Sequence, residues 1–359
     1  MGGNELQRVA VTGATGLLGR SVVAELLAAG VEVVAIVRSR ERAGPALGAH
    51  DALRLVEGDV LDTTAWSSAL RDTDAVIHTA AYFREYYQPS FDPWLLQRTN
   101  VDAVAALVAA ADDADVPVLV HISSSGTIGP ALRGERADEN TPPGKWVRRN
   151  HYYASKVRAE QLIDVLCATH RVRIPVVVPG WMWGPGDGAP TASGQMFVSI
   201  ANGTVVGIPR VSVHIVDARD VAYACVRAAR VGLNRRYIVA GQRHDLPAVG
   251  VQIAHLCDAP VPRPVPARIA LATSGLLQLA DRLRGRPPLV TPRATRVLTD
   301  AATQRISSAR ARNELGVTFR PIAETLSDEA QWFRQHGLIG PQPSYLAVSQ
   351  SRNTIEGRQ

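Results

Sequence analysis

Short runs of β-branched and other apolar residues alternate with longer stretches rich in alanine and leucine through the first half of the chain. The runs predict strands at residues 8–13, 31–37, 53–59, 74–81, 116–125 and 173–180. Apolar residues at helical spacing predict helices at 17–29, which Gly30 ends, and at 63–71, 99–112 and 152–169. Apolar strands that alternate with amphipathic helices form parallel units with helices on both faces. The pattern therefore predicts an α/β protein with a doubly wound parallel sheet.

The alternation breaks after Gly180, where glycine and proline in "GWMWGPGDGAPTASG" predict loops. A strand–helix unit at 211–229 and a strand at 235–241 precede a mostly helical C-terminal third. We expect a main sheet domain at 7–178, completed by 211–241, and a smaller, mainly C-terminal region at 179–210 and 242–340 that binds the substrate. Residues 341–359 are predicted to be a flexible tail, whose "IEGR" at 355–358 matches a protease-tag remnant.

The composition is that of a soluble globular protein, with 46% hydrophobic and 20% charged residues. The net charge is +6, but the basic residues are scattered and form no run of five, which argues against nucleic-acid binding. Cys167, Cys225 and Cys257 are far apart, which excludes a disulfide framework and a CxxC metal site. We therefore expect no metal, and a reducing compartment.

No part of the chain carries the pattern of a membrane segment. The N-terminus, "MGGNELQRVAVTG", has no apolar signal-peptide core before the first strand. Residues 267–283 are helical and apolar, but this stretch is too short and too interrupted to span a bilayer. We expect it to be a helix that packs over a pocket, in a cytoplasmic protein without membrane insertion.

The first strand ends in "TGATGLLG", which places Gly13, Gly16 and Gly19 in a GxxGxxG spacing. These glycines allow a tight turn, a close approach of the backbone to a pyrophosphate, and close packing of helix on strand. The following helix N-terminus supplies free N–H groups. The position at the start of a βαβ unit favours a Rossmann-type dinucleotide site over a glycine-rich turn without a ligand.

Residues at the ends of the second and third strands could contact the cofactor and indicate which cofactor binds. The second is followed by Arg38 and Arg40, where an enzyme that uses NAD would have an acidic residue for the ribose. A guanidinium suits a 2′-phosphate, so we prefer NADP(H) and leave NAD(H) as the alternative, in which case these arginines are only solvated side chains. Asp59 ends the third strand, where it could accept a hydrogen bond from the adenine amino group.

The sequence "YYASK" contains one of only two lysines, Lys145 and Lys156, among 39 basic residues. Tyr152 and Lys156 are four apart, so on a helix they share a face, whereas Tyr153 faces elsewhere. A nearby ammonium favours the phenolate and would move the pKa of Tyr152 toward neutrality. The alternative is an ordinary exposed helix turn. The serines of "HISSSGTIG", at the end of the preceding strand, favour the catalytic interpretation because they can present a hydroxyl to a carbonyl oxygen.

These motifs resemble the extended short-chain dehydrogenase/reductase family, over about residues 7–340. The resemblance rests on "TGATGLLG", "GDVLD", "HTAA", "TNVDAVAAL", "ISSSGTIG", "YYASK", "PGWMWGPGD" and "HIVDARDVA". The stretches "GPGDGAPTASGQMFVSIANG" and "ARNELGVTFRPIAETLSDEAQWFRQHG" are most similar to the dihydroflavonol-reductase-like branch, which includes 3β-hydroxysteroid dehydrogenases, cinnamoyl-CoA reductases and bacterial carbonyl reductases.

The resemblance implies roles for individual residues. Tyr152 would be the general acid/base, Lys156 its pKa modifier and ribose anchor, and Ser125, rather than Ser124, would hold the substrate oxygen. Asn100 would support the helix geometry or a water relay. The implied cofactor site comprises Thr12, Gly13, Thr15, Gly16, Leu17, Leu18, Gly19, Arg38, Asp59, Val60, Ala80, Ala81, Tyr152, Lys156, Pro179 and Gly180.

The substrate site is expected where aromatic residues concentrate, at 82–91 and at Trp181 and Trp183. Tyr82, Ser125, Trp181 and Trp183 are the predicted substrate contacts, and they suggest an apolar or aromatic carbonyl compound. The alternative is that the aromatic residues only pack the loops together. Two positions beside this pocket depart from the family pattern: Val178 replaces an arginine or asparagine, and Trp183 replaces a tyrosine.

The sequence therefore predicts an NADP(H)-dependent carbonyl reductase or alcohol dehydrogenase with a small-molecule substrate. One alternative is a nucleotide-sugar epimerase or dehydratase, for which Arg84, Arg210 and Arg219 could bind a second pyrophosphate. Another is a non-catalytic regulator that senses NADP. The family resemblance also implies a homodimer, formed through the helices at 99–112 and 152–169.

Overall fold

The computed structural model describes residues 5–83, 91–132, 134–283 and 291–340. Along these ranges the strands are β1 (Arg8–Thr12), β2 (Glu32–Val37), β3 (Leu53–Glu57), β4 (Ala75–His78), β5 (Leu119–Ile122), β6 (Val176–Pro179), β7 (Trp181–Trp183), β8 (Gly207–Pro209), β9 (Ser212–Asp217), β10 (Arg236–Val239), β11 (Gln242–Asp245) and β12 (Arg263–Val265). The α-helices are α1 (Leu17–Ala28), α2 (Arg40–Leu47), α3 (Pro93–Gln97), α4 (Ala103–Asp113), α5 (His151–Thr169), α6 (Ala192–Ala201), α7 (Ala218–Val231), α8 (Leu246–Cys257), α9 (Ala267–Leu283), α10 (Pro292–Ala301), α11 (Ala309–Leu315) and α12 (Ile322–Gln335).

Seven strands form one sheet in the order β10-β6-β5-β4-β1-β2-β3, and every neighbouring pair is parallel. The chain moves outward from β1 to β3, then returns to the other side of β1 and continues through β4, β5 and β6. This order makes the sheet doubly wound, with the switch between β1 and β4 at its centre. The fold class and the strands predicted from the apolar runs are confirmed.

Helices cover both faces of this sheet, and each face has its own apolar core. Val9, Val11 and Ile77 point into the core beneath α1 and α7. Ala10 and Val76 point into the opposite core, beneath α4 and α5. Because alternate residues of each strand are buried on opposite sides, the strands are apolar throughout, which made them visible in the sequence.

A second region packs at one end of the main sheet. It contains a three-stranded sheet in the order β11-β9-β7 and a separate parallel pair, β8 and β12. Trp183, Phe197 and Phe333 are fully buried in its core, where the rings of Phe197 and Phe333 lie 5.4 Å apart. The loops predicted at 180–194 are thus partly wrong, since β7 and the first residues of α6 lie within this stretch.

The predicted helix at 63–71 is also wrong. Two short 3₁₀ turns, Thr63–Ala65 and Ser67–Leu70, replace it. Between them the Trp66 backbone leaves the helical region, its side chain is buried, and its ring N–H donates to the Asp59 carbonyl at 2.8 Å. Helix α2, in contrast, was not predicted; Ser39 caps it by accepting the Arg42 N–H at 3.3 Å.

The helix predicted at 267–283 is confirmed as α9. None of the helices in the described ranges is both long and apolar enough to cross a membrane. The predicted tail at 341–359, with its "IEGR", lies outside the described residues, as do Arg84 and most of the aromatic stretch at 82–91.

Candidate active site

The glycine-rich loop joins β1 to α1 at the carboxyl edge of the main sheet. Gly13 has φ +69°, and a Cβ atom there would lie 2.6 Å from the Ala80 backbone nitrogen. A Cβ on Gly19 would lie 2.1 Å from the Gly13 carbonyl oxygen. Gly16 precedes the first turn of α1 without a side-chain cap, so backbone N–H groups face the loop. The absent side chains leave a cradle that fits the pyrophosphate of a dinucleotide.

Other predicted cofactor residues lie along the same edge. Arg38 follows β2 directly and is exposed, and Ala80 and Ala81 follow β4. Asp59 lies just past β3, where its carboxylate accepts the Leu61 N–H at 2.9 Å. Pro179 ends β6. The structure therefore collects residues that are far apart in the sequence at one edge of the sheet.

Tyr152 and Lys156 share a face of α5, as predicted, and both are buried. The Lys156 Nζ lies 5.9 Å from the centre of the Tyr152 ring and donates a hydrogen bond to the Ile122 carbonyl at 2.8 Å. Burial lowers the pKa of Lys156 from 10.5 to about 8, although the Glu160 charge opposes this shift. Helix α5 thus holds an ammonium group beside a phenol, with its charge directed at the end of β5.

The expected pKa of Tyr152 is wrong in direction. Burial, and secondly Tyr153, raise this pKa above its usual value. Burial disfavours the charged phenolate relative to the neutral phenol. At neutral pH the Tyr152 hydroxyl consequently keeps its proton.

The three serines after β5 differ in what their hydroxyls bind. Ser123 donates a short hydrogen bond to the Glu160 carboxylate. Ser124 accepts the Gly126 N–H at 3.2 Å and caps the following 3₁₀ turn. The Ser125 side chain is half-buried, and its hydroxyl makes no hydrogen bond to another residue within the described part of the chain. Of the three, Ser125 is therefore the residue whose hydroxyl is available to another molecule.

Tyr153 has a packing role. A Cβ atom on Gly126 would lie 2.0 Å from the Tyr153 ring, so the ring rests directly on this glycine. The rings of Tyr153 and Tyr152 are 5.8 Å apart. Tyr153 thus joins the serine turn to the N-terminal end of α5, which brings Ser125 to the neighbourhood of Tyr152.

Asn100 lies in a π-helical segment, Arg98–Asp102, that leads into α4. Its Oδ1 accepts the Tyr82 N–H at 2.7 Å, and its Nδ2 donates to the Tyr82 carbonyl at 3.3 Å and to the Ser155 hydroxyl at 3.1 Å. These bonds tie the segment after β4 to α5. The contacts are those expected of a residue that supports the helix geometry.

Aromatic side chains surround Tyr152. Phe83 lies 5.0 Å from it between ring centres, and Tyr82, Phe91 and Trp146 belong to the same cluster. Trp181 is half-buried, but Trp183 is fully buried in the C-terminal core beside Phe197. The prediction that Trp183 contacts the substrate is therefore corrected: its ring fills the core instead.

Two buried histidines lie beneath Lys156 and were not singled out in the sequence. Thr12, His78 and His121 are paired across β1, β4 and β5, and the Thr12 hydroxyl is 2.7 Å from His78 Nδ1. Neither ring nitrogen of His121 has a hydrogen-bond partner among the residues described. Burial and the Lys156 charge lower the pKa of His78 to about 3 and hold that of His121 well below its usual range. Both imidazoles are consequently neutral.

Gln304 was also missed, and no local pattern could have revealed it. Its side chain is buried, and its Nε2 donates to the carbonyls of Ser125 at 2.8 Å and Ile128 at 2.6 Å. Both amide hydrogens thus hold the turn that carries Ser125. Glu160, in contrast, could have been found, because it lies one helical turn after Lys156.

Comparisons with known proteins agree with this geometry. Residues 9–241 match the model of the NAD dependent epimerase/dehydratase family. The chain is 28% identical over 341 residues to a Synechocystis protein provisionally named a dihydroflavonol 4-reductase, covering 92% of this chain and 96% of that one. It is 29% identical to sterol demethylase protein B of Methylococcus capsulatus, covering 92% and 99%. The crystal structure of gox2253 is 28% identical, with a TM-score of 0.77 over 93% of this chain and 100% of that one.

The doubly wound sheet, the glycine cradle and the family match together define a dinucleotide-binding α/β protein of the extended short-chain dehydrogenase/reductase type. The chain belongs to the NAD dependent epimerase/dehydratase family. Its relatives of similar length include proteins named as reductases and one named as a sterol demethylase protein.

The buried ammonium generates a prediction about stability. Because the pKa of Lys156 is lowered on folding, the unfolded chain holds this proton more tightly between pH 8 and 10.5. The wild type should therefore gain stability relative to Lys156→Met as the pH rises through this window, by at most about 3 kcal/mol at 1.36 kcal/mol per pKa unit. Urea unfolding of both proteins at several pH values measures the difference.

The matched control is Lys145→Met, which removes the other lysine of the chain from an exposed position. The difference in free energy of unfolding between Lys145→Met and the wild type should stay constant across the same pH window. If the difference in free energy of unfolding between Lys156→Met and the wild type is also constant, the pKa of Lys156 is not lowered in the folded protein.

Proposed function

We propose that the protein is an NADP(H)-dependent carbonyl reductase or alcohol dehydrogenase that acts on an apolar or aromatic ketone or aldehyde. The observation that carries this proposal is the buried Tyr152–Lys156 pair beside an available Ser125 hydroxyl, inside a cluster of aromatic rings. An acid, a positive charge and a hydrogen-bond donor in an apolar pocket are what carbonyl reduction requires.

The cofactor would bind across the carboxyl edge of the main sheet. The loop from Thr12 to Gly19, including Thr15, Leu17 and Leu18, would hold the pyrophosphate; Asp59 and Val60 would contact the adenine. Ala80, Ala81, Pro179 and Gly180 would line the nicotinamide side, and Lys156 would bind its ribose. When bound, the nicotinamide supplies or accepts the hydride.

Tyr152 would deliver the proton to the carbonyl oxygen. Its raised pKa keeps the phenol protonated at neutral pH, as a proton donor must be. The Lys156 ammonium, held by the Ile122 carbonyl, would stabilise the phenolate that remains. The Ser125 hydroxyl would donate a hydrogen bond to the same carbonyl oxygen and orient it.

The structure offers less support for a nucleotide-sugar epimerase or dehydratase. Arg219 is ion-paired with Asp217 at 2.7 Å and with Asp328 at 2.6 Å, so its charge is already neutralised. Arg210 is exposed, and Arg84 lies outside the described residues. The epimerase or dehydratase function would be favoured if the purified protein carries tightly bound oxidised cofactor and turns over no carbonyl compound.

The main test of the proposed function is Tyr152→Phe. The variant should lose about 10²–10⁴-fold in kcat for carbonyl reduction, because general acid catalysis contributes this much. Its affinity for NADPH should change little. The assay follows NADPH and NADH oxidation with a panel of ketones, aldehydes and acyl-CoA esters. Tyr153→Phe is the matched control and should retain activity, since a phenylalanine ring keeps the packing on Gly126. Undiminished turnover in Tyr152→Phe, or NADPH binding without any turnover in the wild type, would contradict the proposal.

A second prediction tests the cofactor preference. Arg38→Ala should raise KM for NADPH about tenfold or more, since hydrogen bonds to charged groups contribute about 1.5–3 kcal/mol, and should leave KM for NADH unchanged. Arg54→Ala, which removes an exposed arginine of β3, serves as the control. Equal use of NADH and NADPH by the wild type would refute the preference for NADP(H) without affecting the role of Tyr152.

A third prediction concerns Gln304, which we assign as a positioning residue for Ser125. Gln304→Met removes both hydrogen bonds to the serine turn and should lower kcat about 10–100-fold, as small displacements near reacting groups do. In a Ser125→Ala background it should cause no further loss. The control is Gln195→Met, which removes an exposed side-chain bond to Pro190. Equal losses from Gln304→Met in both backgrounds would show that its effect is only structural.

A further inference from the structure

Helix α9 has one face turned to the protein and one to solvent. Ser274 is fully buried, and the helix packs on α10 and β8. On the other side Ile269, Leu276, Leu279 and Leu283 have exposed fractions of 53%, 70%, 54% and 81%. Their spacings of seven, three and four residues place them on one stripe of the helix. The solvent side of α9 is therefore a continuous apolar strip.

This concentration is unlike the rest of the described surface. On the described surface as a whole, ten large apolar residues are exposed, and four of them belong to α9. The remaining six, such as Leu132, Val165 and Leu233, come from separate places along the chain. Single exposed apolar residues are ordinary, whereas a contiguous patch marks a surface that contacts another apolar phase or molecule.

The charge around the stripe narrows the choice of partner. From β12 to the end of α10, the described side chains include four arginines (Arg263, Arg268, Arg293 and Arg296) and one acid, Asp300. Four positive charges minus one negative give +3, against +6 for the whole chain. A second copy of this chain would bring the same positive charge against itself, which opposes self-association. Anionic phospholipid headgroups, in contrast, complement both the arginines and the leucines.

We propose that the stripe of Ile269, Leu276, Leu279 and Leu283 is a docking surface for the anionic surface of a lipid bilayer. The helix would lie in the plane of the membrane, with its leucines between the headgroups and its flanking arginines near the phosphates. With 17 residues, α9 is about 26 Å long at 1.5 Å per residue, so the whole stripe could engage at once. The proposal does not depend on the enzymatic activity.

The test is co-sedimentation of the full chain with unilamellar vesicles. We expect it to pellet with vesicles of phosphatidylcholine and phosphatidylglycerol, much less with phosphatidylcholine alone, and less at high salt because screening weakens the attraction. Leu276→Gln/Leu279→Gln should bind at least about tenfold more weakly, since each leucine withdrawn from an apolar phase costs about 1.5–3 kcal/mol. These positions are exposed, so the variant should keep the melting temperature of the wild type.

The matched control is Leu132→Gln/Val165→Gln, which replaces two exposed apolar residues outside α9 and should bind vesicles like the wild type. Equal sedimentation of wild type and Leu276→Gln/Leu279→Gln would overturn the proposal, as would an absence of binding to phosphatidylglycerol vesicles. A dimer that only the Leu276→Gln/Leu279→Gln variant disrupts, measured by light scattering without vesicle binding, would instead assign the stripe to a second copy.

Discussion

A lysine ammonium in the interior of a protein needs an oxygen acceptor, and here the carbonyl of Ile122, at the end of β5, meets that need. This hydrogen bond ties α5 to the end of β5, and the buried Ala159 and Ile163 hold the same helix against the main sheet. Tyr152 follows from the same position, one turn earlier on the same face. The turn Ser125–Thr127 starts three residues after Ile122, so Ser125 lies close in the chain to the same acceptor.

The charged and titratable groups around the Lys156 ammonium are compatible with a buried positive charge. Glu160 supplies a negative charge one turn further along α5, and it also accepts from Ser123 and pairs with Arg236 across 2.9 Å. His78 and His121 stay neutral, so no second positive charge lies beneath the lysine. In this part of the described interior, Lys156 is therefore a cation whose charge Glu160 partly compensates.

The sequence predicted the elements whose signals are local. Strands such as Val176–Pro179 are buried on both faces, and the Tyr152–Lys156 pair follows from helix geometry alone. The failures share a different cause. The helix at 63–71 is interrupted because Trp66 turns inward to reach the Asp59 carbonyl, and the pKa of Tyr152 rises because of burial that no spacing reveals. Gln304 acts on residues far away in the chain, so its role becomes visible only in three dimensions.

The contact between Gln304 and Ser125 spans 179 residues, and this separation has a consequence for biosynthesis. When Ser125 leaves the ribosome, the side chain that holds its turn has yet to be translated. At about 5–20 residues per second, roughly 10–40 seconds pass before Gln304 emerges. The nascent chain can assemble the main sheet in that interval, but the serine turn has to wait. A translation product truncated before Gln304 would thus contain the main sheet but lack the side chain that holds the turn at Ser125.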